Sequence, residues 1–574
     1  MFIKWSKDSL SRLFLHESER IFAFLCGHAA ELSIPLEVIP KTVRFNSRSD
    51  RIYYPTPFKV TETLAALKGI EGALAAAIAD LRFGTECEGR QVTIDLERAT
   101  LFGFQALIAK VNGCSRSDPG IKKYLKDTDL HAAQSNLYRR LAANMYRTKN
   151  ENEFFHLHGS LNPSKTLNMI GLASHRSDRI EYDEIIRLIQ AHVEQWTAAE
   201  LEQVNLESKQ AGVTVYTYKQ FCDTPHGKTS IQEPWWKVCR LQGDTPPTPF
   251  APSTTRRPLA GVKVLELCCV IAGPVIGRIL AEYGADVLKI TCSSTVPDVP
   301  FFQVDGNMGK HVVDIDLKCA RGRKKFEELL RDADVIIDGY RPGVLERLGY
   351  GPVTLSTIAT RRGKGIVYVD ENCFGHEGPW SGRPGWQQIV DCLTGFARAF
   401  GAFLRQSEPI VSPWPIADYG AGCMGAIAAL TGLYNRARYG GSYHCKASLM
   451  QFNLLLFAVG QYPTDIQKEL RDNLPLAFRN LRYCDGVDRS SKVALDYMQE
   501  NFPWLFQTPA CTSPEDNLME TWYSHHYGAE VEVVGPVARI DAVEVGFVRA
   551  TRPNGADENA SWDFSDSEED FRCM

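Results

Sequence analysis

The sequence predicts an α/β protein: a doubly wound, Rossmann-like parallel-sheet domain joined to a smaller mixed α/β domain. Three observations carry that prediction. Short apolar runs at Val262–Leu267, Ala285–Ile290, Val335–Asp338 and Ile366–Asp370 alternate with stretches of helical period, the pattern of βαβ units. The stretch 242–258, QGDTPPTPFAPSTTRRP, is too rich in proline to hold a helix and divides the chain. An internal repeat links the two parts: Ala75–Ala99 and Ala428–Gln451 each read as an Ala-rich helix with an arginine-bearing end, a glycine turn (Gly89, Gly441), a strand and a further helix.

Taken in order, residues 1–60 read as a helical segment. Met1–Gly27 mixes Lys4, Lys7, Arg12 and Arg20 with Asp8, Glu17 and Glu19, which suits a helix and not a targeting leader. Residues 61–241 form the first half and 242–258 the linker. After it come strand Val262–Leu267, helix Val275–Tyr283, strand Ala285–Ile290, helix Lys324–Arg331, strands Val335–Asp338 and Ile366–Asp370, and the small-residue helix Ala421–Leu433. Strand order within the sheet stays open. The tail 558–574 is acidic and apolar-poor, and is expected to be disordered.

At 574 residues the chain has room for roughly two to four domains, and its 44% hydrophobic, 23% charged composition is ordinary for a globular core. A net charge of −5 offers no field for a nucleic-acid backbone, so no nucleic acid is expected as partner. The apolar runs Gly422–Tyr434 and Phe452–Gly460 fall short of the roughly 18 residues that span a bilayer, so no membrane is expected either. The 16 cysteines include no C-x-x-C pair, which removes zinc-ribbon and thioredoxin readings and leaves reduced thiols in a cytoplasmic setting. His156 and His158 share one face of a strand but have no third ligand in view, so no metal site is expected.

Four places carry candidate chemistry. The turn Val270–Gly277 ends the first strand of the sheet, where a helix N-terminus offers N–H groups to phosphate; Pro274 suits the first helical position. Lys310, Lys318, Arg341 and Arg347 follow predicted strand ends, and the two arginines suit bidentate capture of phosphate. Asp418 is a lone acid in VSPWPIADYGAG, just ahead of a small-residue helix: a helix cap, or a nucleophilic carboxylate supported by helix N–H groups. Asp391, one helical turn after Gln387, is a possible substitute acid.

The ordered series PLAGVKVLEL…AGP…GADVLKI, N-x-x-K…D-L-K, DV-x-x-DGYRPGVLERLGY, RPGW…LTG and P-x-AD-x-x-xG over Pro258–Gln451 resembles the class III CoA-transferase family, which includes formyl-CoA transferases and the α-methylacyl-CoA racemases. Leu141–Leu172 resembles that family's small domain and Tyr182–Gly227 its returning C-terminal part. The chain thus looks like a later half of the fold (61–241) followed by a CoA-binding, nucleophile-bearing domain (259–460) and a return segment (461–557). The resemblance implies the CoA-transferase family III fold, acyl-CoA and a carboxylic acid as substrates, no permanently bound cofactor, and a homodimer or an internally interlocked monomer. It places the nucleophile on Asp418 and the CoA contacts on Val270, Ile271, Ala272, Gly273, Ile315, Lys318, Tyr340, Arg341 and Arg347.

Several positions depart from the family pattern. Trp386 stands where the racemases carry histidine, Gln387 where the following acid stands, Thr291 for a glutamate and Gly339 for an asparagine. An indole and an amide cannot relay an α-proton near neutral pH. A transferase needs one carboxylate and oxyanion donors, among which Gln387 is a candidate. The expectation is CoA transfer through an aspartyl-CoA thioester on Asp418. The alternatives are an acyl-CoA racemase or epimerase with a rewired base (Asp391, Glu371 or a residue of the first half), or a degenerate CoA-binding protein without turnover.

Overall fold

Seven strands form the sheet that organises the chain: β1 (Trp236–Arg240), β2 (Lys263–Leu267), β3 (Asp286–Thr291), β4 (His311–Asp314), β5 (Val335–Asp338), β6 (Val367–Asn372) and β7 (Tyr443–Ser448). Their spatial order is β4-β3-β2-β5-β6-β7-β1. The six strands β2 to β7 pair in parallel, and β1 closes the far edge antiparallel to β7, with Arg240 opposite Tyr443 and Trp236 opposite Ala447. Strand β1 comes before the linker, so the first half supplies the edge strand of the second half's sheet. Covering that edge leaves no row of open backbone groups on β7. The structure describes residues 13–38, 43–84, 89–176, 181–507, 517–564 and 571–572 as a computed structural model.

Both faces of the sheet are buried, as continuous apolar runs require. Val264, Ile337, Val367 and Val369 face one core, while Leu265, Ile336 and Tyr368 face the other, the alternation of extended backbone. Three helices fill the first core: α1 (Val60–Phe83), α2 (Ala272–Glu282) and α3 (Ile416–Tyr439). Helix α3 is long and apolar enough by length and composition to cross a membrane, and its apolar window is wholly buried inside the protein. It extends well beyond the expected Ala421–Leu433, because its small residues pack against neighbours at every turn.

The repeat is realised twice in the same order. Helices α1 and α3 each run 24 residues. Each leads to a strand (Val92–Asp95 and β7) whose last residue caps the next helix: Asp95 accepts from the Arg98 N–H and Ser448 from the Gln451 N–H. Each such cap is worth about 1 kcal/mol. The turn glycines Gly89 and Gly441 both hold positive φ, 76° and 82°, where a side chain would be strained.

Smaller sheets surround this centre. Ala143–Arg147, Phe154–His158 and Val213–Thr214 form one, backed by helices Tyr182–Val193 and Ala198–Glu207. Val43–Asn46, Val92–Asp95 and Ala538–Ile540 form another, so the first 60 residues contribute a strand as well as helix. Lys110–Val111, Ala529–Val534, Met519–Ser524 and Phe571–Arg572 form a third.

The expectation of disorder over 558–574 is corrected for the described part of the tail. The Trp562 indole N–H donates to Leu329 O at 2.9 Å, and Phe564 stacks on His311 with ring centroids 3.8 Å apart. These two aromatic rings outweigh the acidic composition. Residues 565–570 and 573–574 lie outside the described residues.

Candidate active site

The chain leaves β2 toward β3 on one side and reaches β5 on the other, so the turns after β2 and β5 part at the carboxyl end of the sheet. A cavity of about 440 Å³ occupies the gap. Its walls are Cys269–Ala272 and Gly339–Pro342 from those turns, Glu371–Cys373 at the end of β6, Arg383–Trp386, and Asp418. The first half closes it with Ser160–Asn162, Lys165 and Gln210.

Asp418 is the third residue of α3. Gly422, one turn on and on the same face, leaves no room for a side chain: a Cβ there would lie 2.5 Å from Val275 Cγ1 and 3.0 Å from Ala272 O. Gly425 repeats the pattern against Ile276 Cδ1, at 2.5 Å. These glycines press α3 onto α2 and so set Asp418 beside the start of α2. Its carboxyl has no hydrogen-bond partner among the described residues and lines both the main cavity and a second one of about 90 Å³. Burial, reinforced by the Asp391 carboxyl, pushes its pKa up to about 8.

The turn ahead of α2 is strained. Val270 holds φ 68°, a conformation costly for a β-branched residue. Its N–H donates to Asp298 Oδ1 at 3.0 Å, and Asp298 is itself fixed by the Asn554 amide at 2.9 Å and by Lys289 at 3.7 Å. Ile271 and Ala272 belong to the cavity wall, and their N–H groups have no partner among the described residues. Pro274 occupies the third helical position and not the expected first; its missing N–H falls among donors that have no intrahelical partner in any case.

Of the expected CoA contacts, Val270, Ile271, Ala272, Tyr340 and Arg341 line the cavity, and Gly273 follows directly. A Cβ on Gly273 would lie 2.6 Å from Cys268 Sγ, so that glycine serves close packing. Ile315 lines a separate open cleft beside the tail, while Lys318 and Arg347 are exposed and outside the cavity lining. Lys310 is no rim cation: it is fully buried, 2.6 Å from Glu266 and 2.7 Å from Pro274 O, and burial brings its pKa down to about 8. Gln387 uses one of its two amide N–H donors on Asp391 and, of the two cavities that Asp418 lines, lines only the smaller. Asp391 also accepts from Asn453 at 3.1 Å and the Ser412 N–H at 3.3 Å; burial lifts it to about 7. Trp386 is a wall residue that stacks on His158 and donates to Ser160 Oγ at 3.0 Å. His158 in turn meets Gln388 at 3.2 Å.

Two contributors, Lys165 and Asp298, escaped the reading of the sequence, and a third, Glu371, entered it only as an alternative base. Glu371 faces the cavity from the end of β6, 7% exposed and with no hydrogen-bond partner among the described residues. Lys165 reaches the cavity from the first half, and Asp298 holds the strained turn. A Cβ on Gly339 would lie 2.9 Å from Cys268 Sγ, so that glycine, like Gly273, serves close packing on Cys268, and Glu371 Oε2 lies 3.5 Å from the same point.

Comparison with known proteins identifies the family. The sequence profile of CoA-transferase family III matches residues 259–470. The chain is 32% identical over 521 residues to an acetyl-coenzyme A transferase, nodX, of Hypoxylon pulicicidum, covering 88% of this chain and 85% of that one. It is likewise 32% identical over 507 residues to an acyl-CoA transferase of Gibberella moniliformis, covering 85% of each. Among solved structures, Rv3272 from M. tuberculosis in its orthorhombic form aligns with a TM-score of 0.39 and 20% identity, over 53% of this chain and 98% of that one. The extent of the two fungal matches, spanning both halves and the linker, shows that the chain is an enzyme belonging to CoA-transferase family III.

Proposed function

We propose that the protein transfers CoA from an acyl-CoA to a carboxylic acid through an aspartyl-CoA thioester on Asp418, without a resident cofactor. The observation that carries the reading is the unpartnered Asp418 carboxyl between two cavities, at the N-terminus of a buried helix. The helix terminus favours its ionised form, and the absence of a fixed partner leaves its oxygens free to attack. The larger cavity, with Tyr340, Arg341 and Lys165 at its rim, suits the pantetheine arm and phosphates of CoA. The relatives' names, an acetyl-coenzyme A transferase and an acyl-CoA transferase, support the same substrate class.

In this reading the Asp418 carboxylate attacks the thioester carbon and CoA leaves as thiolate, giving a mixed anhydride. The thiolate then attacks the Asp418 carbonyl carbon and expels the first acid as carboxylate. The acceptor carboxylate attacks the aspartyl thioester, and returning thiolate completes the exchange. The N–H groups of Ile271 and Ala272 supply oxyanion donors, each worth roughly 3–4 kcal/mol in comparable sites. No net proton transfer is required. That agrees with a site where Trp386 serves as wall and Gln387 is tied to Asp391. The N-terminal small sheet closes the cavity from within the same chain, which supports an internally interlocked unit.

The test is incubation with labelled acyl-CoA and a panel of carboxylic acids in deuterium oxide. Label passing to the acid's CoA ester without α-deuterium supports transfer. Enzyme-dependent α-deuterium without label exchange overturns it in favour of epimerase chemistry. Acyl-CoA binding with neither reaction leaves only a binding protein.

A further inference from the structure

The main cavity holds a second carboxyl that the mechanism above does not use. Strand β6 alternates: Val367, Val369 and Glu371 point to the face covered by α2 and α3, while Tyr368 and Asp370 point to the other. The residues on the second face are all engaged. The Tyr368 hydroxyl donates to Asp338, and Asp370 meets His376 and His444, each at 3.4 Å. Glu371 is different. It ends its strand against the cavity, more than nine-tenths buried, and its carboxyl oxygens have no partner among the described residues. A buried polar group with nothing to bond is costly, and a buried bare charge more so. Such a group is kept when a ligand completes it.

The surroundings decide its form. From α3 it faces Asp418; from β5, Asp338; along its own strand, Asp370. Cys268 and Cys269 at the end of β2, and Cys373 beyond β6, are the other titratable groups that feel it. Arg341, Arg383 and Lys165 line the same cavity, but burial and the repulsion of the three carboxylates prevail and push the Glu371 pKa up to about 8. Asp418 gains from the N-terminus of its helix, while a strand end gives Glu371 no such help. When the site holds one proton, Glu371 keeps it and Asp418 is the anion. A neutral carboxylic acid is a hydrogen-bond donor, and the space it shares with Asp418 is where the thioester carbonyl must lie.

We propose that the Glu371 carboxyl is the side-chain hydrogen-bond donor to the acyl oxygen of the thioester that Asp418 attacks, a second catalytic residue. This rests on the transfer reading given above. As the Asp418 oxygen bonds to the acyl carbon, the C=O π pair moves onto the acyl oxygen, and Glu371 O–H donates to that oxygen without giving up its proton. When the C–S bond breaks, its pair leaves with sulfur as CoA thiolate and the oxygen reverts to a carbonyl. Glu371 starts and ends protonated, so the step balances with no further acid or base. Side-chain and backbone donors then approach the same oxygen, Glu371 from β6 and Ile271 and Ala272 from the turn after β2.

The experiment measures kcat and kcat/KM for CoA transfer across pH 5.5–9.5 in wild type, Glu371→Gln, Glu371→Met and Glu371→Asp, with melting curves for each. Wild-type activity is expected to fall on the alkaline side as Glu371 loses its proton, and on the acid side as Asp418 gains one. Glu371→Gln keeps a neutral donor, so it should retain kcat within about tenfold and lose the alkaline limb while keeping the acid one. Glu371→Met should lose about 10²-fold or more in kcat, the usual cost of an oxyanion donor. Should Met fail to fold, the Gln variant and the wild-type pH profile decide alone. A Gln variant that folds and is inactive makes Glu371 a proton acceptor or nucleophile and overturns the proposal. So does a folded Met variant with wild-type kcat, or an alkaline limb that persists in Gln. If wild type itself transfers no CoA, the underlying reading has failed, and these variants are not what failed it.

Discussion

The Val270 N–H donates to Asp298 Oδ1 at 3.0 Å, and this bond holds a β-branched residue at φ 68°. The strain costs about 1–3 kcal/mol, and its product is the pair of open N–H groups on Ile271 and Ala272. Asp298→Ala should therefore release the turn and lower kcat/KM for acyl-CoA by at least about tenfold, a fraction of what a lost oxyanion donor costs. Val270→Gly should stay within about threefold of wild type. Glycine adopts this backbone freely, and its extra freedom in the unfolded chain, about 0.5–1 kcal/mol, largely cancels the relief. Steady-state kinetics and melting curves of both variants check the pair. An inactive Val270→Gly protein that melts normally would show that the valine side chain, and not the turn, matters.

Asp418→Asn should fold as wild type and retain below about one per cent of its transfer, a loss of about 2.7 kcal/mol or more of barrier stabilisation. An amide forms neither anhydride nor thioester. Hydroxylamine trapping during turnover, read by peptide mapping, should mark Asp418 in wild type and nothing in the variant. A mark on Asp391 would relocate the nucleophile.

Glu62 is the third residue of α1 as Asp418 is of α3, and it is 1% exposed and accepts the Tyr462 hydroxyl. Glu62→Gln should leave transfer unchanged, so that one covalent intermediate forms per chain. Its stability effect should depend on pH. Burial raises the Glu62 pKa from 4.5 to about 7, so the folded chain retains a proton that the unfolded chain releases in that interval. Folding is penalised increasingly from about pH 4.5 to about pH 7, by on the order of 3 kcal/mol, and the penalty is complete above. Glu62→Gln should therefore raise the melting temperature at pH 8 and leave it unchanged near pH 4.5. Thermal melts at both values check the sign.

Arg341 and Lys165 line the cavity from opposite halves of the chain, and Lys318 and Arg347 stand outside its lining. Arg341→Gln and Lys165→Gln should each raise KM for acyl-CoA several-fold with kcat little changed, the signature of uniform binding. Lys318→Gln and Arg347→Gln should shift KM by less than about twofold. Michaelis curves at constant ionic strength separate the two pairs.

The parallel strands were legible because each is a short apolar run buried on both faces, and the place of Asp418 at the start of α3 because it is a lone acid just ahead of a run of small residues. What the chain hid is non-local. Strand β1 takes its place by pairing with residues some two hundred positions away, which no local pattern signals. Lys310 read as a rim cation because its partner Glu266 lies 44 residues back. Glu371 sat in plain view in IVYVDENC and entered only as an alternative base, because nothing local separates it from its neighbour Asp370. Only the fold shows that one acid is matched by two histidines and the other by none. Composition misled at the tail, where two aromatic rings dock a segment that is otherwise acidic.

Strand β1 has a consequence for how the protein can be divided. Most of 242–258 is exposed, so a protease can cut there, yet the cut removes no strand pairing and opens no wall of the cavity. The nicked enzyme should remain a single active particle, its pieces parting only in denaturant. Expressing 259–574 alone is a different matter: it bares the edge of β7 and lacks Ser160, Lys165 and Gln210. Such a fragment is a natural half of a split enzyme, inert and prone to stick to itself until residues 1–241 are supplied in trans.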